Sequence, residues 1–461
     1  MLLLFVLAVA VQADRAELLA LATLAAAVWI AWDAASDDRP GPRARLVMAF
    51  GLVMLAALPA LLLAFDHGLW VAPPRLHGLD AGLVLWSVGI GSVAVGSRAA
   101  GMLTRDDVTA WPIRSSSPRG WRPVAGVAVL VVVSLAAFVH EVGGPLAYVK
   151  NLNNSAAANA GLTYLVWGIS FAKYGAFAYL TEGWANGRGG SRRVLVATVV
   201  ALLLLLFVGS RLLVLIALIQ LLVLYSALRP TGRRFVVAIA TVVVVGAVVF
   251  IGLGEFRRWE NLSSRRPSFA SYFVHTSLPS LPRTYVNNYA DTVRSSVLAR
   301  QVVPARAGYE YGKELVRMLL QPLPGSIRPK LAFAPALQAT FTSGHQNGNA
   351  LPLPVEGYIE FGFVGDLVFC LLLGLVVGLL DKLGPAVRDV GGLMTAVAAG
   401  TGLVIIFRGS LHNGVAIAGI DVIGFFIAHR TLFSARSAGV LEGRTAASAA
   451  PGTGPTMAAT S

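Results

Sequence analysis

Apolar and polar positions alternate along this chain in long blocks, with apolar runs near 16–32, 46–65, 80–97, 124–140, 161–181, 194–208, 212–228, 235–253, 361–380, 390–407 and 415–433. A hydrocarbon core about 30 Å thick asks for roughly 20 apolar residues per helix, so each run predicts a membrane span. Residues 1–13 form a shorter apolar run that ends in Asp14, Arg15 and Glu17. They read as a further span, as the start of the first helix, or as a signal-peptide remnant, the last being weakest because no basic residue precedes the run. The expected fold is an all-α polytopic membrane protein with 11–12 transmembrane helices and one large extracytoplasmic loop. Its expected parts are N-terminal helices (1–253), the loop (254–353), C-terminal helices (354–433) and an Ala/Gly/Thr/Ser-rich tail (434–461).

Composition agrees with this class: 461 residues, 56% hydrophobic and only 13% charged, with a mean hydropathy of +0.70, leave no room for a soluble domain of ordinary size. The formal charge of +14 would suggest nucleic acid in a soluble protein. Here most basic residues flank apolar spans, where headgroups and topology account for them, and no basic, aromatic-interleaved module exists to read a nucleic acid. Cys370, the single cysteine, lies inside a span, so no intramolecular disulfide braces the loop.

Orientation follows from Lys and Arg in the connections. Segments 33–45, 98–123, 183–193, 229–234, 381–389 and 430–461 together hold 19, whereas 66–79, 141–160, 209–211 and 408–414 hold one each. The first set is expected to be cytoplasmic, which puts 254–353 outside and the C-terminus inside. The Ala/Val/Arg-rich composition points to a GC-rich bacterial genome.

The loop carries twelve basic residues against five acidic ones, a net of +7. A basic loop at a bilayer surface suggests an anionic substrate. Arg211 follows Gly209 and Ser210 at a hairpin tip, and Arg408 stands beside Gly409 and Ser410 at a second outer boundary. Snorkelling at a helix end explains one such arginine; two on separate hairpins favour a shared function. Within the loop, Tyr311, Leu315, Met318 and Leu319 fall at helical spacing before Pro322, which predicts a short amphipathic helix on the membrane surface. His345 lies in a small-polar run ahead of the next span. Glu356 and Glu360, at i and i+4 on the helix entering the membrane, are expected to share one face, as a site or as partners of Arg408 or a loop arginine. No zinc-type spacing and no Walker-type Gly-rich run occurs, so neither a metal nor another cofactor is expected.

Three blocks resemble the O-antigen polymerase (Wzy-like) family of oligosaccharide repeat-unit polymerases: Gly143-Gly144, Gly209-Ser210-Arg211, and Glu356-Gly357-Tyr358-Ile359-Glu360-Phe361-Gly362-Phe363-Val364-Gly365, with the Arg408-Gly409-Ser410 turn fitting the same pattern. The resemblance implies a GT-C-like, metal-independent glycosyltransferase that joins repeat units carried on undecaprenyl pyrophosphate. It implies Arg211 and Arg408 on the pyrophosphate, helped by Arg257, Arg258, Arg265 or Arg266. It further implies His345 or Glu356 as the base, with Tyr358, Glu360 and His412 orienting sugar or base. Membrane lipid, a flippase and a chain-length regulator are the implied partners. Three other readings stay open: an O-antigen-ligase-like transferase with the same donor, a lipid-linked oligosaccharide flippase or other transporter, and a noncatalytic assembly partner. A transporter would use ionisable residues deep in spans, for which Lys173, Asp366 and Asp421 are the candidates.

Overall fold

The computed structural model describes residues 16–35, 44–65, 79–103, 113–145, 162–187, 191–208, 211–228, 252, 255–256, 259, 268–277, 281–320, 351–383, 387–409 and 411–434. The chain folds as a helical, multi-pass membrane protein. Its helices are α1 (Ala16–Ala35), α2 (Ala44–Leu52), α3 (Leu58–Phe65), α4 (Leu79–Leu103), α5 (Trp121–Glu141), α6 (Thr163–Ala185), α7 (Arg192–Phe207), α8 (Arg211–Leu228), α9 (Leu281–Val302), α10 (Lys313–Leu320), α11 (Leu353–Leu383), α12 (Val390–Arg408) and α13 (Leu411–Leu432). A wider π turn, Val53–Ala57, joins α2 to α3 into one rod. Six described helices are long and apolar enough to cross a membrane: α1, α4, α5, α11, α12 and α13. The runs expected at 46–65, 161–181, 194–208 and 212–228 are also helical; the run at 235–253 lies almost wholly outside the described residues.

α4 and α11 pack backbone to backbone. A Cβ added at Gly96 would fall on the carbonyl of Leu371, and one at Gly374 on that of Val93. Small residues permit this approach in a bilayer, where van der Waals contact rather than hydrophobic burial holds helices together.

Contacts sort the connections into two ends. At one end Arg45 pairs with Asp33 and with Asp381, each at 2.7 Å, while Glu182 meets His429 at 2.9 Å and the Ser116 amide at 2.9 Å. There too the short strands β1 (Ser117–Pro118) and β2 (Phe433–Ser434) pair antiparallel. At the opposite end α9 lies on the bundle, with Val293 and Val297 packed among Leu19, Leu63, Leu79 and Leu83.

Three expectations are revised. The segment 254–353 is not simply a polar loop: α9 runs for 22 residues and buries Val293, Val297, Ala299 and Val302. The amphipathic helix exists, but it begins at Lys313, and Tyr311 precedes it at φ 48°.

The last revision shapes the site. α11 is broken at Phe361 and Gly362, the latter at φ 67° and ψ −154°. Gly357 and Gly365 touch across the break so closely that a Cβ on either would meet the other's backbone. Straight helix would separate residues eight apart by about 12 Å, so the chain doubles back. Residues 353–360 form a re-entrant half-helix, buried throughout, and 363–383 form the span. Backbone that re-enters a membrane is tolerated where protein surrounds it.

Candidate functional site

The half-helix places Glu356, Tyr358 and Glu360 on different partners. Glu356 Oε2 accepts the Leu411 amide at 2.7 Å, at the first residue of α13. Glu360 Oε2 accepts the amides of Gly312 and, at 3.0 Å, of Lys313, which open α10. The first four amides of a helix lack intrahelical acceptors and carry partial positive charge, so a carboxylate there is stabilised. The two glutamates, expected to present one shared functional face, therefore hold two separate helix N-termini. Tyr358 is buried, accepts from Arg300 Nη1 at 2.8 Å and donates to the Val303 carbonyl at 3.0 Å.

Arg408 ends α12 and is half-buried. It lines a narrow, open groove with Val47, Leu215, Ile216, Ile219, Thr401, Val404 and Ile405. Apart from Thr401 and Arg408, that lining is aliphatic. Below it, the Gln220 amide donates from Nε2 to Thr401 Oγ1 at 3.0 Å and to Asp421 Oδ2 at 2.8 Å. Asp421 Oδ1 accepts from Lys173 Nζ at 2.8 Å and from the Tyr174 hydroxyl at 2.7 Å. Lys173 also sits 4.6 Å from the centre of the Tyr174 ring. The network joins α6, α8, α12 and α13 in the buried interior of the bundle. Two of the ionisable residues singled out in the sequence are thus each other's partner.

The Gln220–Thr401 bond fixes the register of α8 on α12. Arg408 shares the groove with Leu215, Ile216 and Ile219, which precede Gln220, so the helices are antiparallel. From Thr401 to Arg408 the rise is about 10 Å, and from Gln220 back to Arg211 about 13 Å. The first residue of α8 and the last of α12 therefore stand at one level, at the same end of the groove. Arg211 is described by its backbone position only, one turn above Leu215, and His412 likewise, on the first turn of α13. His345, Arg257, Arg258, Arg265 and Arg266 lie outside the described residues.

Asp366, the third deep ionisable residue, is buried on the first turn after the break. Its Oδ1 accepts from the Cys370 thiol at 3.5 Å, and its Oδ2 has no partner among the described residues.

Sequence reasoning missed the use of α11 as an anchor. Besides Glu356 and Glu360, Asp381 accepts the amides of Ala44 and Arg45 at the start of α2 as well as Arg45 Nε. Comparison with protein-family models, with curated proteins and with solved structures finds no match.

Proposed function

We propose that this chain is a membrane glycosyltransferase that polymerises oligosaccharide repeat units carried on undecaprenyl pyrophosphate at the outer face of a bacterial plasma membrane. The observation that supports the reading most is the antiparallel register of α8 and α12, with Arg211 and Arg408 at one level above an aliphatic groove. An isoprenoid diphosphate has matching halves: an apolar chain for the groove and a charged head for the arginines. In the reaction a sugar hydroxyl of one lipid-linked unit attacks the anomeric carbon of the growing chain. The new C–O bond forms as the bond to the pyrophosphate breaks, its electrons leave with the pyrophosphate, and the hydroxyl proton passes to a base. Guanidinium groups stabilise the charge that develops on the leaving group. Of the two candidate bases, His345 is the better choice, since Glu356 is committed to the Leu411 amide; Glu356 is a positioning residue for the 408–411 turn. The basic segment 254–353 lies outside, the C-terminus inside, and Arg257, Arg258, Arg265 and Arg266 attract the lipid-linked substrate.

Replacing Arg211 by Ala tests the reading in the host. The expected result is a membrane-inserted protein with single lipid-linked repeats accumulating on the outer leaflet; polymer of normal length would contradict it. Finished polymer left on the lipid would instead identify a ligase. One observation favours a second reading, a flippase: the Lys173–Asp421 pair is buried among apolar helices, and ionisable groups within membrane spans commonly mark transport paths. For that reading the repeats accumulate on the inner leaflet.

A further inference from the structure

Arg300, on the last turn of α9, has no carboxylate partner among the described residues. Its guanidinium carbon stands 5.3 Å from the centre of the Tyr358 ring and 4.8 Å from that of Phe363. Nη1 donates to the Tyr358 hydroxyl, and Nε is buried without an acceptor. A guanidinium has five donors, and only one is engaged among the described residues. Both ring faces attract the cation. That fixes the plane of the group but supplies no counter-charge, and a half-buried cation without one is costly. The result is a donor fork, oriented by its neighbours, facing no anion among the described residues.

We infer that Arg300 is an oxyanion-binding residue whose ligand is a phosphate group, at a site separate from the groove of Arg408. The half-helix divides the two. Glu356 and Tyr358 are two residues apart, about 200° around a helix; the first faces the Leu411 turn beside Arg408 and the second faces Arg300. Phosphate suits the fork because two parallel N–H groups meet two of its oxygens. The phosphate belongs either to a phospholipid headgroup or to a second lipid diphosphate, which a reaction joining two lipid-linked units would require. The inference does not depend on that reaction.

The test uses the full-length protein in phosphatidylcholine nanodiscs, titrated calorimetrically with inorganic pyrophosphate, with a parallel count of phosphatidylglycerol retained on purification. Arg300→Met is expected to weaken one pyrophosphate-binding event at least tenfold, which assigns a diphosphate, or to lose retained phosphatidylglycerol, which assigns a headgroup. Pyrophosphate binding and phosphatidylglycerol retention both equal to wild type would overturn the inference. Should Arg300→Met not fold, Arg300→Gln, which keeps a donor for the Tyr358 hydroxyl, is read by the same two outcomes. Arg408→Met in the same titration is expected to leave the Arg300 event intact. An Arg408 variant without any effect of its own would count against the proposed reaction and leave Arg300 untouched.

Discussion

Glu356 shows how one side chain can be read two ways. A buried carboxylate four residues before another suggests acid–base chemistry, yet its oxygen takes the amide that opens α13. If Glu356 positions the turn that carries Arg408, Glu356→Gln keeps a carbonyl acceptor and should retain activity within about tenfold. Glu356→Ala loses that bond and should cost about 1–2 kcal/mol of stability, the usual price of a missing cap. Activity measured beside thermal unfolding separates the roles: a Gln variant as inactive as Ala, at wild-type stability, would make Glu356 the base. The arginines were legible from sequence because a cation beside Gly and Ser at a span boundary stands out. Arg300 was not, since one arginine among the twelve basic residues of its segment becomes distinctive only when Tyr358 and Phe363 are seen around it.

Among the elements, α11 does the most to position the site. Its glutamates hold α10 and α13, its aspartate holds α2, and its break lets half a helix re-enter the bundle. None of this was readable in the sequence. The apolar run across Phe361 to Gly365 continues smoothly into the span, and a positive φ at one glycine leaves no mark in hydropathy. α9 was hidden for the opposite reason: Arg294, Arg300 and Asn288 dilute the run, although Val293 and Val297 keep a helical spacing. The buried network around Asp421 shows a further limit, because Lys173 and Asp421 are 248 positions apart and no local pattern announces their pairing. Removing one partner of a buried pair usually costs about 3–5 kcal/mol, whereas replacing both by apolar residues is often nearly neutral. Asp421→Asn should therefore lower the unfolding temperature in detergent markedly, and Lys173→Met with Asp421→Leu should recover most of the loss. Equal destabilisation in the single and double variants would contradict a purely structural pair and strengthen the transport reading.

For the whole molecule, the fold class was readable because a bilayer imposes it: every span must satisfy its own backbone and present apolar length. Asp33, Arg45 and Asp381 gather at one end of the bundle, and α9 packs on Leu19 and Leu79 at the other. What no span prediction supplies is which helices adjoin, and the account depends on one such adjacency, α8 beside α12. Packed helices lie about 8–10 Å apart, so cysteines at positions 211 and 408 should be within reach of a short bifunctional reagent. The decisive measurement is crosslinking of Arg211→Cys/Arg408→Cys in a Cys370→Ser background, with and without undecaprenyl pyrophosphate. Efficient bridging that the lipid suppresses is the predicted result; no bridging, with the two cysteines labelled from opposite faces of the membrane, would contradict it.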